Sequence, residues 1–309
     1  MQIRLYESLR AVFYTPYYVA LKRGLHQKLG LDVILDRPET SDQSASDLFA
    51  GKADVTWGGP MRMMQHMDRD PDPDRRLIAF GEAVTRDPFL LIGREPCPGF
   101  QLCELGRRRI ATVSEVPTPW MCIQEDLRRA GIDPASLDRV ADRTMADNVA
   151  ALRKGEVDVI QVFEPFAEML LREGAGHVWH AAAARGPTSY TTYYAPVEFV
   201  RRNREALTGM VRALQEAQTW LHAADAATVA DMAHCYFPDL DASVLTGAID
   251  RYRALGVWGR NPRLPVVGFV RLKMSLLSGG FIARDVPFDS CVDNSIADAV
   301  IAEGAAATA

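Results

Sequence analysis

Residues 48–60 read LFAGKADVTWGGP, and residues 152–165 read LRKGEVDVIQVFEP. The two stretches share one frame. It is Leu48-x-x-Gly51-x-x-Asp54-Val55 in the first and Leu152-x-x-Gly155-x-x-Asp158-Val159 in the second, 104 residues further on. Each frame reads as a helix ended by Gly, a tight turn, and a buried strand entered through Asp. Glycine suits the helix end because it enters the left-handed backbone region without strain. Each strand then runs into a Pro-bearing loop, Gly59-Pro60 in one copy and Glu164-Pro165 in the other. Two copies of one helix–turn–strand unit predict two similar α/β lobes.

The chain on either side fits that plan. Ile3–Leu5 reads as a strand. Tyr17–Leu29 reads as a helix with apolar residues at Tyr18, Leu21, Leu25 and Leu29, and Leu31–Leu35 as a strand again. Such alternation implies βαβ units and mostly parallel sheets flanked by helices. From about Arg202 onward the pattern is mainly helical. Pro88–Arg94 (PFLLIGR) leads out of the first lobe, and Thr188–Ala195 (TSYTTYYA) leads back. The expected layout is one discontinuous lobe of residues 1–90 and 190–309, with residues 91–189 inserted as the second. Two strands crossing between lobes form a hinge, which suits closure on a ligand.

Composition narrows the function. The 309 residues are 48% hydrophobic and 24% charged, the balance of a globular chain. A net charge of −5 gives no basic footprint for nucleic acid. No apolar stretch approaches the ~18–20 residues of a membrane-spanning helix. Five cysteines without a C-x-x-C argue against a disulfide framework or a zinc ribbon. The nucleophile elbow, the H-E-x-x-H pair, the P-loop and the dinucleotide fingerprint are all missing. Nothing in the sequence requires a metal or an organic cofactor. The start, MQIRLYESLR, lacks the basic-then-apolar layout of a secretory signal. The expected location is cytoplasmic for the sequence as it stands, and periplasmic if a signal has been trimmed.

The candidate site lies where helices begin. Four helices are expected to start with an X-Pro step after a strand-like run: Thr15-Pro16, Gly59-Pro60, Thr118-Pro119 and Glu164-Pro165. Proline suits the first helical position, and the next N–H groups stay free at the positive end of the helix dipole. In α/β sheets these starts border the ligand crevice. Two fall in each lobe and could face one another across a cleft. Tyr14, Tyr17, Trp57 and Trp120 would offer rings to a flat ligand. Gly58 and Gly59 would allow close approach to backbone. Thr118 offers a hydroxyl. Glu164, and more weakly Glu82, offer a carboxylate to an amino group. Arg62 could meet an anion. Tyr190, on the returning segment, completes the set.

The order of these motifs carries a resemblance. Tyr14-Thr15-Pro16 precedes a helix ending near Gly30-Leu31-Asp32-Val33, then comes Gly51-x-x-Asp54-Val55-x-Trp57-Gly58. Thr118-Pro119-Trp120, Asp158-Val159 with Glu164-Pro165, and Arg251-Tyr252-x-x-x-Gly256-x-Trp258 follow. The chain resembles, over nearly its whole length, the solute-binding proteins for nitrate, sulfonates and taurine, with the related thiamine-pyrimidine precursor binders and synthases. The resemblance implies a type II periplasmic-binding-protein fold with a ligand held between its lobes. It implies ligand contacts on the loops carrying Tyr14-Thr15, Trp57-Gly58, Thr118 and Glu164. It also implies a small-molecule partner and an ABC permease. The cysteine-rich motif of the fungal synthases is absent.

The expected function is therefore non-catalytic binding of a small molecule by a monomer or weak dimer. One expected ligand is a flat, amino-bearing heterocycle related to the thiamine pyrimidine, stacked on Trp57 or Tyr14 and held by Glu164. The other is a sulfonate-like anion on the N–H groups near Thr118. A cytoplasmic enzyme for precursor synthesis or decarboxylation is the alternative, with His66, Glu82 or Glu164 as acid or base. A cytoplasmic ligand sensor is a third reading.

Overall fold

The computed structural model describes residues 1–40 and 43–308. The described residues form ten strands: β1 (Gln2–Glu7), β2 (Asp32–Asp36), β3 (Val55–Gly58), β4 (Leu77–Val84), β5 (Leu90–Gly93), β6 (Arg109–Ala111), β7 (Asp138–Val140), β8 (Val159–Val162), β9 (His177–Ala181) and β10 (Thr191–Pro196). The repeated frame explains how they are registered. Gly51 and Gly155 turn the chain with φ of 69° and 72°. The Asp54 carboxylate accepts the backbone N–H of Arg4 on β1 at 2.8 Å. The Asp158 carboxylate accepts that of Arg109 on β6 at 2.8 Å. In return each aspartate donates its own N–H to the carbonyl of the same arginine, at 2.9 Å in both lobes. The Asp thus sets where β3 meets β1 and where β8 meets β6.

Both lobes follow one plan. The first sheet has the order β2-β1-β3-β10-β4, and the second β7-β6-β8-β5-β9. β1 pairs in parallel with β2 and β3, as β6 does with β7 and β8. The fourth place is antiparallel: β10 lies between β3 and β4, and β5 between β8 and β9. β3, β4, β5 and β8 are buried along their whole length, as expected for sheets covered on both faces.

The chain crosses between the sheets twice, from β4 to β5 and from β9 to β10. The two crossing segments run side by side. Thr188 donates its N–H to the Thr85 carbonyl at 2.8 Å, Tyr190 to Val84 at 3.0 Å, and Ala182 to Phe89 at 2.9 Å. One apolar core runs through the junction, with Phe80 and Tyr193 on one side, Ile92 and Val162 on the other, and Phe89 between.

The helices follow the sequence with one break. The expected helix over 17–29 is two pieces, Thr15–Lys22 and Leu25–Lys28, separated at Gly24 with φ 64°. The helical C-terminal third attaches to the first lobe, with helix Arg204–Ala223 packed on helix Thr15–Lys22 and on β4. Two of its helices also reach the second lobe. Ala242–Ala254 packs on Phe166–Arg172, and Val266–Ser278 packs on Thr118–Arg129. No described helix is long and apolar enough to cross a membrane.

Two residues expected at the ligand belong to the framework instead. Trp57 is fully buried, and its ring stacks on Tyr17 with centroids 4.7 Å apart and planes 3° from parallel. Tyr18 meets it edge-on at 5.8 Å. Glu82, near the end of β4, is buried with no ion pair among the described residues. Burial raises its pKa to about 8, opposed in part by the Ser189 and Thr85 hydroxyls.

Each observation has a measurable consequence. Trp57→Ala removes a stacked core ring and should cost about 3–5 kcal/mol in guanidinium unfolding, since neighbours refill such a cavity only in part. Between the ordinary value of 4.5 and about 8, the folded chain holds a proton at Glu82 that the unfolded chain releases. This contribution is full below the unfolded pKa and is lost as pH rises through the folded one. Glu82→Gln keeps the neutral form. It should raise the melting temperature at pH 8.5 by roughly 2–4 °C for each kcal/mol recovered, and change it little at pH 5. An equal shift at both pH values would show that the carboxyl does not titrate this way.

Candidate functional site

A cleft opens where the parallel strands end. Ser8 and Leu9 follow β1, Gly59 follows β3, Val116 to Thr118 follow the β6 loop, and Phe163 follows β8. These residues form an inner cavity, together with Phe13, Tyr14, Met61, Arg62, Phe89 and Tyr190, that encloses about 50 Å³. Its position outside the carboxyl ends of the strands is the usual crevice of open α/β sheets. Both lobes contribute rings. Phe13 of the first lobe meets Phe163 of the second edge-on at 5.3 Å. Phe163 also meets Phe89 at 5.2 Å, and Phe13 meets Tyr190 at 6.0 Å. A wider outer hollow of about 390 Å³ shares Leu9 and Phe163 and is bordered by Arg10, Glu115, Phe166 and Phe237.

The polar groups of the inner cavity are mostly donors. Helix Pro60–Arg69 starts in the first lobe and helix Thr118–Arg129 in the second. They meet where the Thr118 hydroxyl donates to the Met61 sulfur at 2.7 Å. Both helix starts bring N–H groups and the positive end of a dipole to the cavity. Arg62 is the charged residue of the described lining, and its Nη1 donates to Gln65 Oε1 at 3.2 Å. The Tyr190 hydroxyl is buried without a hydrogen-bond partner among the described residues. Burial also raises its pKa well above the ordinary phenol value, so it stays a neutral O–H. Ser8 donates to the Trp57 carbonyl at 2.8 Å.

Of the residues expected at the ligand, Tyr14, Gly59, Arg62, Thr118 and Tyr190 come together at this cavity. The others do not line it. The Thr15 hydroxyl donates to the Val12 carbonyl at 2.6 Å, and Pro16 and Tyr17 are buried beside it. Gly58 is required by packing, since a Cβ there would stand 2.6 Å from Ser8 Oγ. Trp120 lies in the second lobe's core under the Arg139 guanidinium, 3.7 Å from its ring centre. Glu164 is buried outside the lining. Its carboxylate accepts Arg251 Nη1 at 2.8 Å and the Glu168 N–H at 2.8 Å. Burial raises its pKa to about 7, with Arg251 pulling the other way. His66 stacks on Phe49 at 4.8 Å and bonds the Arg75 carbonyl at 2.8 Å. The three acid–base candidates, His66, Glu82 and Glu164, thus all lie outside the described lining of the cavity.

Phe13, Phe89 and Phe163 are the lining rings that sequence reasoning missed. Phe163 was within reach, because it stands 104 residues after Gly59, the offset of the repeated frame. Phe89 sits on a crossing segment and Phe13 beside Tyr14, but nothing local separates them from core phenylalanines.

Comparison with known proteins bears on the fold. Residues 104–236 match the NMT1-like family. The protein YtlA of Bacillus subtilis (strain 168) is 24% identical over 305 residues, covering 98% of this chain and 90% of YtlA. The periplasmic sulfonate-binding protein SsuA of Methylobacillus flagellatus KT superposes with a TM-score of 0.78 at 14% identity, over 98% of this chain and 94% of that one. The periplasmic aliphatic sulphonate binding protein SsuA of Escherichia coli does so with 0.75 at 16% identity, over 92% and 94%. At such identities the likeness to the solved structures is one of fold. The chain therefore has the two-lobed α/β fold of the solute-binding proteins, with its residues 104–236 matching the NMT1-like family.

Proposed function

We propose that this chain is the solute-binding component of an ABC-type importer, and that its lobes close on a small anion with an apolar body, of the sulfonate kind. The observation that carries the reading is the lining of the inner cavity. Rings from both lobes surround Arg62, the Tyr190 hydroxyl and the starts of two helices. Rings favour an apolar body, while an arginine, a neutral hydroxyl and helix N-termini favour an anionic head. The names of the structural neighbours, sulfonate-binding proteins, point the same way.

An amino-bearing heterocycle fits less well. The described lining offers it no carboxylate, because Glu164 faces Arg251 instead. The same lining offers no carboxylate, histidine or cysteine to act as base or nucleophile, which favours binding without conversion.

A thermal-shift and calorimetry panel tests this directly. It should hold propanesulfonate, benzenesulfonate, nitrate and a 4-aminopyrimidine. A sulfonate at 100 times its dissociation constant should add about 2.7 kcal/mol of stability and be recovered unchanged. Arg62→Gln should weaken that binding about tenfold, the order expected for a lost charge-assisted hydrogen bond. Stabilisation by the aminopyrimidine with no response to either sulfonate would reverse the assignment of ligand class.

A further inference from the structure

Beyond the cavity, one cluster of charged side chains joins the two lobes. Helix Ala242–Ala254 is anchored to the first lobe. It packs on helix Ala226–Ala233 and on the turn Val12–Tyr14. The segment that follows it is tied down as well. The Trp258 indole donates to the Phe13 carbonyl at 2.8 Å. Thr85 donates its N–H to Val257 at 2.9 Å, and Gly259 donates to Ala83 at 3.0 Å.

The same helix grips the second lobe. Arg251 Nη1 reaches Glu164 Oε1 at 2.8 Å and Glu168 Oε2 at 2.7 Å, and its Nη2 reaches Glu168 Oε2 at 2.8 Å. Arg172 pairs with the other oxygen of Glu168 at 2.6 Å and donates to the Ser243 hydroxyl and carbonyl at 3.0 and 2.9 Å. The Glu164 N–H donates to the Tyr252 hydroxyl at 2.9 Å. The approach is close enough that a Cβ at Gly247 would stand 2.1 Å from Glu168 Oε1.

We propose that Arg251 is a latch that holds the lobes together in the resting protein and is broken when they part to exchange ligand. Arg251 lines neither the inner cavity nor the outer hollow, so it acts on ligand through closure and not by contact. Its effect is specific to the closed form. With the lobes together, Glu164 is fully buried beside Glu168 and needs the guanidinium as counter-charge. With the lobes apart, water solvates both carboxylates. Removing Arg251 therefore penalises the closed form far more than the open one. The latch sits one residue from Phe163, which lines both compartments of the cleft, so opening the latch and opening the cavity are one movement.

The test uses the ligand-free full chain and does not depend on which ligand the cleft takes. Small-angle scattering of the wild type should fit the closed structure. Arg251→Met should expand the particle as the closed fraction falls at least about tenfold, with far-ultraviolet circular dichroism unchanged. Arg251→Lys, which keeps one charge but loses the fork, should fall between. If Arg251→Met does not fold, the lysine variant decides alone. A wild type already expanded would overturn the latch, and so would a folded variant that scatters like the wild type. Where benzenesulfonate binds, Arg251→Met should release it about tenfold faster. Where it does not, the ligand class fails while the scattering result still stands or falls by itself.

Discussion

The fourth place in each sheet is filled by a strand that comes straight from, or leads straight to, the outer strand of the other sheet. β5 follows β4 across the junction, and β10 follows β9. This exchange fixes much else. The two crossing segments must run side by side, and their backbone groups bond to one another. They also carry Phe89 and Tyr190 into the cavity. The hinge and the back wall of the site are thus the same stretches of chain. On the proposed reading, a rotation about these segments would move the rings that line the cavity.

Charge is distributed to match. Several acids near the cleft already have partners within the framework. Asp54 and Asp158 accept backbone N–H groups at the strand entries. Glu7 takes the guanidinium of Arg10 and the hydroxyl of Tyr18. Glu115 accepts the N–H of Met145 at 2.8 Å. Glu164 and Glu168 share Arg251. None of those carboxylates is in the described lining of the inner cavity, whose polar side chains are Ser8, Tyr14, Arg62, Thr118 and Tyr190.

The two-lobed architecture was legible because it rests on local signals that recur. Gly51 and Gly155 need left-handed backbone, and Asp54 and Asp158 need a specific N–H, so the frame survives at a fixed spacing. The X-Pro steps marked helix starts for a similar reason. The site was less legible because the same residue types serve cleft and core. Trp57 and Tyr14 both stand near strand ends in sequence, yet Trp57 turns inward onto Tyr17 while Tyr14 reaches the cavity. Glu164 occupies a strand end, but its counter-charge arrives from Arg251, 87 residues later. No pattern within a lobe announces that partner. The repeat does carry finer information than its four fixed positions suggest. Gly59 and Phe163 line the cavity at matching offsets, while Trp57 and Gln161, equally matched, are both buried outside its described lining.

The strand exchange also orders the events of synthesis. All five strands of the second sheet lie within residues 90–181, so that sheet is complete in sequence once β9 has been made. The first sheet is not. Among the described residues β4 has no ladder partner other than β10, and β3 and β4 do not pair with each other. A nascent chain that has just finished β4 therefore carries an apolar strand, LIAFGEAV, with its hydrogen-bonding edges unmet. It must stay so for the roughly hundred residues before β10 emerges. The inserted lobe can fold as a unit during that interval. The lobe that begins the chain is the one that closes last.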